Sequence, residues 1–248
     1  MATQVFMDAL YATILVLVVT NQRILLAADS RKTYLDKQGV HKVGSLDKIY
    51  KTNDCYYAVC GFHEEEGRFS IHELIHTHLL QSLGLHEAIK QMVQALATAL
   101  KQYFQELKKS SPALFQQVKR VSASGGEVFV VSRVDTIPTA FIIDYRVTDS
   151  SDVKVTMNTW SIDILAIKNP ESCFWRAIGN TPTLSSTLLS EKEWALHPVE
   201  NAKSLIEEGI KRSPDFVSAP INMLELTING INWIEKTYTA PNTVDGKD

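Results

Sequence analysis

The chain has 248 residues, of which 45% are hydrophobic and 21% are charged, so it is long and apolar enough to bury a substantial core. This composition excludes a disordered chain, a collagen-like repeat and a disulfide scaffold. With 25 Lys and Arg residues against 28 Asp and Glu residues, the net charge of -3 provides no basic surface, and we expect neither nucleic acid nor a membrane as a partner.

The first quarter of the chain is predicted to be β-structure. Residues 14–19 and 24–28 are apolar and rich in branched side chains, which predicts two buried strands joined by a tight turn. A second pair of strands is predicted at residues 40–51 and 55–60. The longest apolar run, residues 9–20, is too short to span a bilayer.

Two helices are predicted in the middle of the chain. The first covers residues 71–83 and ends at Gly84. Across residues 85–107, apolar positions recur every three or four residues, which is the spacing of a long amphipathic helix. The later predicted elements are four strands, one helix and a closing hairpin, at residues 128–134, 139–147, 153–160, 174–178, 198–212 and 223–238.

This order of elements predicts one α+β domain over residues 13–239. Strands that are apolar on both faces must be covered on both faces, and the helices alone are too few to do this. We therefore expect a four-layer αββα sandwich, in which two sheets also pack on each other. Residues 240–248 are expected to form a flexible tail.

The cysteines indicate a reducing compartment. The chain has three of them, Cys55, Cys60 and Cys173, with no CxxC spacing. Because an odd number without such spacing favours free thiols over disulfides, the expected location is cytoplasmic.

The segment from Thr13 to Thr33 resembles the start of a mature proteasome β-type subunit, a family of N-terminal-nucleophile (Ntn) hydrolases. A threonine opens the first strand, and the second strand ends in an Asp-Ser-Arg-x-Thr turn at residues 29–33. Later motifs follow in the family's order: Lys48-Ile49, Cys60-Gly61, the helix pair, and Asp215-Phe216-Val217-Ser218 after the last helix. The resemblance spans roughly residues 13–238 and implies the Ntn-hydrolase sandwich.

The resemblance also implies a catalytic centre. Thr13 would be the nucleophile after removal of residues 1–12 as a propeptide, with its freed α-amine as general base. Lys48 would lower the pKa of the nucleophile, and Asp29 would hold Lys48 in place.

Further residues receive their roles from the same resemblance. The backbone N–H of Gly61 would stabilise the oxyanion, and Asp215 and Ser218 would orient the α-amine. The residues implied in substrate binding are Arg31, Thr33, Val59 and Asn180. The activity implied is that of a threonine-type endopeptidase, a hydrolase that acts on a peptide or protein substrate, needs no cofactor, and forms a homo-oligomer or ring.

The sequence departs from the family pattern at the processing site. Ala12 precedes Thr13 where the family has glycine, and a register shifted by one would place Ala12 at the nucleophile position and predict an inactive site. The alternative hypothesis is therefore a non-catalytic ring or assembly subunit that keeps residues 1–12.

A rival motif predicts a zinc metalloprotease. Residues 72–76 read H-E-x-x-H on a predicted helix, so His72 and His76 would lie one turn apart as zinc ligands. The metzincin continuation is absent, because positions 79 and 82 are Leu79 and Ser82, which leaves His78, and His86 with Glu87, as the possible third ligands. We therefore expect no metal site, with His72 and His76 as the rival candidates.

Overall fold

The structure is a computed structural model that describes residues 13–35, 41–45, 47–61, 64–65, 69–80, 84–116, 126–149, 152–179, 189–214 and 217–236. The predicted propeptide at residues 1–12 and the predicted tail at residues 240–248 lie outside these ranges. No helix within the described ranges is long and apolar enough to cross a membrane.

The strands are numbered in chain order. They are β1 (Ile14–Val19), β2 (Arg23–Ala28), β3 (Arg31–Leu35), β4 (His41–Ser45), β5 (Tyr50–Thr52), β6 (Cys55–Cys60), β7 (Glu64–Glu65), β8 (Phe69–Ser70), β9 (Gly126–Val134), β10 (Ile137–Asp149), β11 (Val153–Asp163), β12 (Phe174–Gly179), β13 (Asn222–Thr227) and β14 (Gly230–Glu235). The helices are α1 (Ile71–Leu79), α2 (Leu85–Ser110), α3 (Glu191–Leu196) and α4 (Pro198–Arg212), with a 3-10 turn at Ile164–Ala166 and a further helical segment at residues 112–116.

The described strands form three sheets. The first has the order β12-β1-β2-β13-β14, and the second has the order β11-β10-β9-β6-β5. Both five-stranded sheets are antiparallel throughout. A third, four-stranded sheet has the order β4-β3-β7-β8, and in it β3 and β7 run parallel.

The predicted four-layer αββα sandwich is wrong, although the α+β class is confirmed. The structure is a mixed α+β fold in which the third sheet has no place in a four-layer arrangement. The prediction failed because it treated residues 40–51 as one strand paired with β6. The structure divides them into β4, which pairs with β3, and β5, which pairs with β6.

Most other predicted elements are confirmed within a few residues, because their periodicity is strong. The helix at 191–196 was not predicted, although a local signal exists: Ser190 and Glu193 form a reciprocal capping box at its start. The three cysteines are free, as expected, and the structure buries all of them.

The topology brings several strand ends to one side of the molecule. In the first sheet, Leu15 near the start of β1 pairs with Ala28 at the end of β2, and Ala28 also pairs with Asn222 at the start of β13. The end of β12 lies at the same place, since Gly179 pairs with Ile14. Residues that flank these strands therefore converge there.

Candidate active site

Lys48 links the hydroxyl of Thr13 to the carboxylate of Asp29. Its Nζ donates to Thr13 Oγ1 at 2.8 Å and to Asp29 Oδ1 at 2.8 Å. The Lys48 side chain is 6% exposed and that of Asp29 is fully buried. A hydroxyl, an ammonium and a carboxylate thus form one hydrogen-bonded row. The three residues come from segments that precede β1, follow β2 and precede β5.

Asp29 is held by backbone groups as well as by Lys48. Oδ1 accepts from Ile14 N at 2.8 Å, and Oδ2 accepts from Arg31 N at 2.9 Å and from Ser218 N at 3.5 Å. These donors fix the carboxylate in one orientation, and charge-assisted hydrogen bonds of this type stabilise its ionised form. Asp29 is therefore a rigid support for the ammonium.

Burial perturbs both members of this ion pair. Desolvation lowers the pKa of Lys48, and the attraction of Asp29 opposes that change. Desolvation likewise raises the pKa of Asp29, opposed first by the charge of Lys48. Lys48 is thus an ammonium that gives up its proton more readily than an exposed lysine, and it is in direct contact with a hydroxyl.

The segment before β13 is attached to the turn after β2. Ser30 N and Ser30 Oγ both donate to the carbonyl oxygen of Ser218, at 3.1 and 3.2 Å, and the two serine hydroxyls lie 3.3 Å apart. Arg31 Nη2 donates to the carbonyl oxygen of Pro214 at 3.0 Å. Ser218 therefore lies beside Asp29. The Arg31 side chain contacts the backbone of Pro214, which precedes Ser218 in the same segment.

Sequence reasoning missed two residues that shape this site. Asn222, which is fully buried, donates from Nδ2 to Asp47 Oδ1 at 3.2 Å and so helps to fix the residue before Lys48. Gly179 closes the site behind Thr13: a Cβ added there would lie 1.5 Å from the Thr13 carbonyl oxygen and 2.6 Å from its carbonyl carbon. Only glycine allows the two backbones to approach this closely.

Replacing Gly179 by alanine is expected to displace Thr13, and any reaction that depends on the Thr13 hydroxyl should slow by about 100-fold, the order of loss that a shift of about 1 Å produces at a reacting group. The φ of Gly179 is +102°, so the alanine variant is also strained. Gly84→Ala is the matched control, because a Cβ at Gly84 has no atom within 4 Å. The measurement is kcat at a temperature where both variants are folded, and equal kcat values would contradict the expectation.

Cys60 lies close to the Thr13 backbone but is a poor nucleophile. A Cβ at residue 179 would lie 3.3 Å from its Sγ, so the thiol is close to the Thr13 backbone. Burial raises the pKa of Cys60 to about 12, although the nearby Lys48 charge opposes that rise. The thiolate is therefore scarce at neutral pH, and Thr13 is the better candidate.

Of the remaining predicted residues, three lie within the described ranges and two lie outside them. Gly61 follows β6 with a φ of 97°, in the left-handed region that favours glycine. Val59 is buried in a hydrophobic cluster with Ile71 of α1, and Thr33 pairs through its backbone with Val43. Asp215 and Asn180 fall outside the described residues.

The rival zinc motif does not form a metal centre among the residues that the structure describes. No group of three or more His, Cys, Asp or Glu side chains in those ranges is arranged to hold an ion. The His72 ring lies against two tyrosines, 4.2 Å from the Tyr50 ring centroid and 5.8 Å from that of Tyr57, while His76 is exposed. The two histidines therefore occupy different environments.

Comparison with known proteins gives a weak structural likeness. No protein-family model matches the chain, and no curated protein matches it significantly. Among solved structures, Anbu from Hyphomicrobium sp. strain MC1 matches at 12% identity and a TM-score of 0.49, covering 90% of this chain and 85% of that one. An ancestral beta-subunit, Anbu from Yersinia bercovieri, matches at 12% identity and a TM-score of 0.48, covering 90% of this chain and 87% of that one.

These findings correct the predicted membership of the proteasome β-type subunits. The structures reported are Anbu proteins, and identities of 11–12% with TM-scores of 0.47 to 0.49 assign no family. We draw no functional conclusion from them.

Proposed function

We propose that the chain is a threonine-type amide hydrolase that acts on peptides or proteins with Thr13 as its nucleophile. The observation that carries the proposal is the contact between Lys48 Nζ and Thr13 Oγ1 at 2.8 Å, with Lys48 itself bound to the buried Asp29. A threonine hydroxyl is a weak nucleophile unless a neighbouring base or charge activates it. Lys48 supplies such a charge at hydrogen-bond distance.

The charge arrangement favours formation of an alkoxide at Thr13. A positive charge that touches the hydroxyl oxygen stabilises its deprotonated form and lowers the pKa of the hydroxyl. Asp29 keeps the ammonium in place, and its own oxygens are occupied by backbone donors. Because Lys48 is buried, solvent weakens this electrostatic effect less than it would at the surface.

The proton acceptor in this proposal is the α-amine of Thr13. While residues 1–12 are attached, the Thr13 nitrogen is an amide and cannot accept a proton. Cleavage between Ala12 and Thr13 would convert it into an amine beside the hydroxyl, close enough to act through one water molecule. Activity is therefore expected to require removal of residues 1–12.

The first test is the intact mass of the purified protein together with its hydrolysis of fluorogenic peptides. The proposal expects a chain that begins at Thr13 and cleaves amide bonds. A native mass from the same sample reports whether the chain self-associates, as the proposal also expects.

The outcomes of this test separate the alternatives. An active protein that keeps residues 1–12 would contradict the role of the α-amine. A protein that keeps residues 1–12 and hydrolyses no peptide would support the non-catalytic assembly subunit instead.

A further inference from the structure

An ion pair joins the two five-stranded sheets close to the candidate site. Arg176 of β12 donates from Nε to Glu127 Oε2 of β9 at 2.6 Å, and its Nη2 donates to Glu127 Oε1. Two parallel hydrogen bonds of this kind fix the orientation as well as the distance of the two groups. We refer to Arg176 and Glu127 as the sheet-bridging pair.

A second contact ties Arg176 to the same partner sheet. Its guanidinium carbon lies 5.4 Å from the ring centroid of Trp160 on β11, within the range of a cation–π interaction. The preceding residue, Trp175, lies on the opposite face of β12, where its ring stacks on that of Trp194 with the ring centroids 4.7 Å apart. Arg176 thus faces the second sheet together with Phe174 and Ile178, which pack into the hydrophobic cluster between the sheets, and it adds a directed polar contact to theirs.

Strand β12 lies at the edge of its sheet. Within the described residues it pairs with β1 alone, so one of its two edges lacks a neighbouring strand. Its last residue, Gly179, lies three positions after Arg176 and contacts the carbonyl of Thr13. The position of β12 therefore sets the position of the surface behind Thr13.

We propose that the sheet-bridging pair is a positioning pair, which holds the end of β12 in the place that Thr13 requires for reaction. The inference rests on the proposed function of Thr13. Neither member of the pair needs to touch substrate. The pair acts through Gly179. The two parallel hydrogen bonds from the Arg176 guanidinium to Glu127 fix β12 relative to β9.

This role differs from a contribution to stability. The Arg176 side chain is 35% exposed but that of Glu127 is only 13% exposed, so a single substitution leaves a mostly buried charge without its partner, whereas a double variant removes the pair as a whole. Reaction rate is far more sensitive to position, since a misplacement of about 1 Å lowers it by about 100-fold. Loss of the whole pair in the double variant is therefore expected to affect kcat strongly and thermal stability weakly.

The test compares Arg176→Gln, Glu127→Gln and the double variant with the control Arg23→Gln. Arg23 forms a similar pair with Glu225 in the first sheet, with exposures of 38% and 15%, beside the opposite ends of β1 and β2. We expect kcat to fall by about 100-fold in each single variant with little change in KM, and no further in the double variant, because the two residues act as a unit. Arg176→Lys keeps the positive charge but cannot form both parallel hydrogen bonds. Its kcat is expected to lie between those of Arg176→Gln and the wild-type protein.

A second measurement is independent of hydrolysis. Cys60 lies beside Gly179, so loosening β12 should expose its thiol to a maleimide. Labelling is followed by peptide mass mapping, with Cys55 at the start of β6 as the internal reference. We expect several-fold faster labelling of Cys60 in Arg176→Gln than in Arg23→Gln.

The two readouts distinguish failure of this inference from failure of the proposed function. If the wild-type protein hydrolyses no peptide, the proposed function is overturned. Separately, unchanged Cys60 labelling in Arg176→Gln overturns the inference that the sheet-bridging pair holds β12 in place. If hydrolysis occurs and Arg176→Gln matches Arg23→Gln in kcat, the positioning role is overturned whatever the labelling shows. Lower kcat together with faster Cys60 labelling supports it.

Discussion

Replacing Thr13 by alanine is expected to lower amide hydrolysis by about 10⁴-fold or more, the order of loss found when a catalytic nucleophile is removed. The fold should persist, because Thr13 is only partly buried and Asp29 keeps its contacts with Lys48 and with the backbone. The measurement is kcat/KM on a fluorogenic peptide, accompanied by circular dichroism.

Thr13→Ser is the matched control, since it keeps the hydroxyl that Lys48 contacts. Its hydrolysis should be of the same order as that of the wild-type protein. A β-lactone, which acylates activated hydroxyls, should add its mass to the wild-type and serine proteins and not to the alanine variant. Full hydrolysis by Thr13→Ala would refute the proposed function.

Replacing Lys48 by methionine is expected to abolish hydrolysis and also to destabilise the fold. The hydroxyl of Thr13 would lose the charge that stabilises its alkoxide. Asp29 would keep its backbone donors but lose its counter-ion, and breaking a buried ion pair on one side costs about 3–5 kcal/mol. Hydrolysis and the free energy of unfolding are measured on the same preparation.

The double variant Asp29→Asn/Lys48→Met separates the two effects. It removes both charges, so much of the lost stability should return, while hydrolysis should not. Recovery of stability without recovery of activity assigns Lys48 a chemical role. Recovery of both would show that Lys48 only supports the fold.

The pH dependence of activity is expected to follow Lys48. Burial lowers its pKa below that of an ordinary lysine. As the pH rises through this lowered pKa, the ammonium loses its charge, and hydrolysis should fall on the alkaline side earlier than titration of an exposed lysine would produce.

The candidate site could be predicted from sequence in part. Thr13, Asp29 and Lys48 were identified through a resemblance, and the structure places all three within hydrogen-bond distance in one row. Their catalytic roles stay predictions, which the variants above test. The neighbours that shape the row were not found, because a glycine at the end of a strand and an asparagine at the start of another have many ordinary explanations.

Local pattern by itself determined where most strands and helices lie. The apolar run of β1 and the three-and-four spacing of α2 are properties of neighbouring residues, and the structure confirms both elements. The α+β class follows from the order of such elements. The free state of the cysteines followed from their number and spacing.

Tertiary structure alone decided which strands pair and which distant side chains meet. Residues 40–51 were predicted as one strand, yet β4 pairs with the strand before it and β5 with the strand after it, so that the two join different sheets. Arg176 and Glu127 are 49 positions apart and have no sequence signal in common. Strand propensity is a local property, whereas the position of β12 beside Thr13 depends on its pairing with β1, a strand far away along the chain.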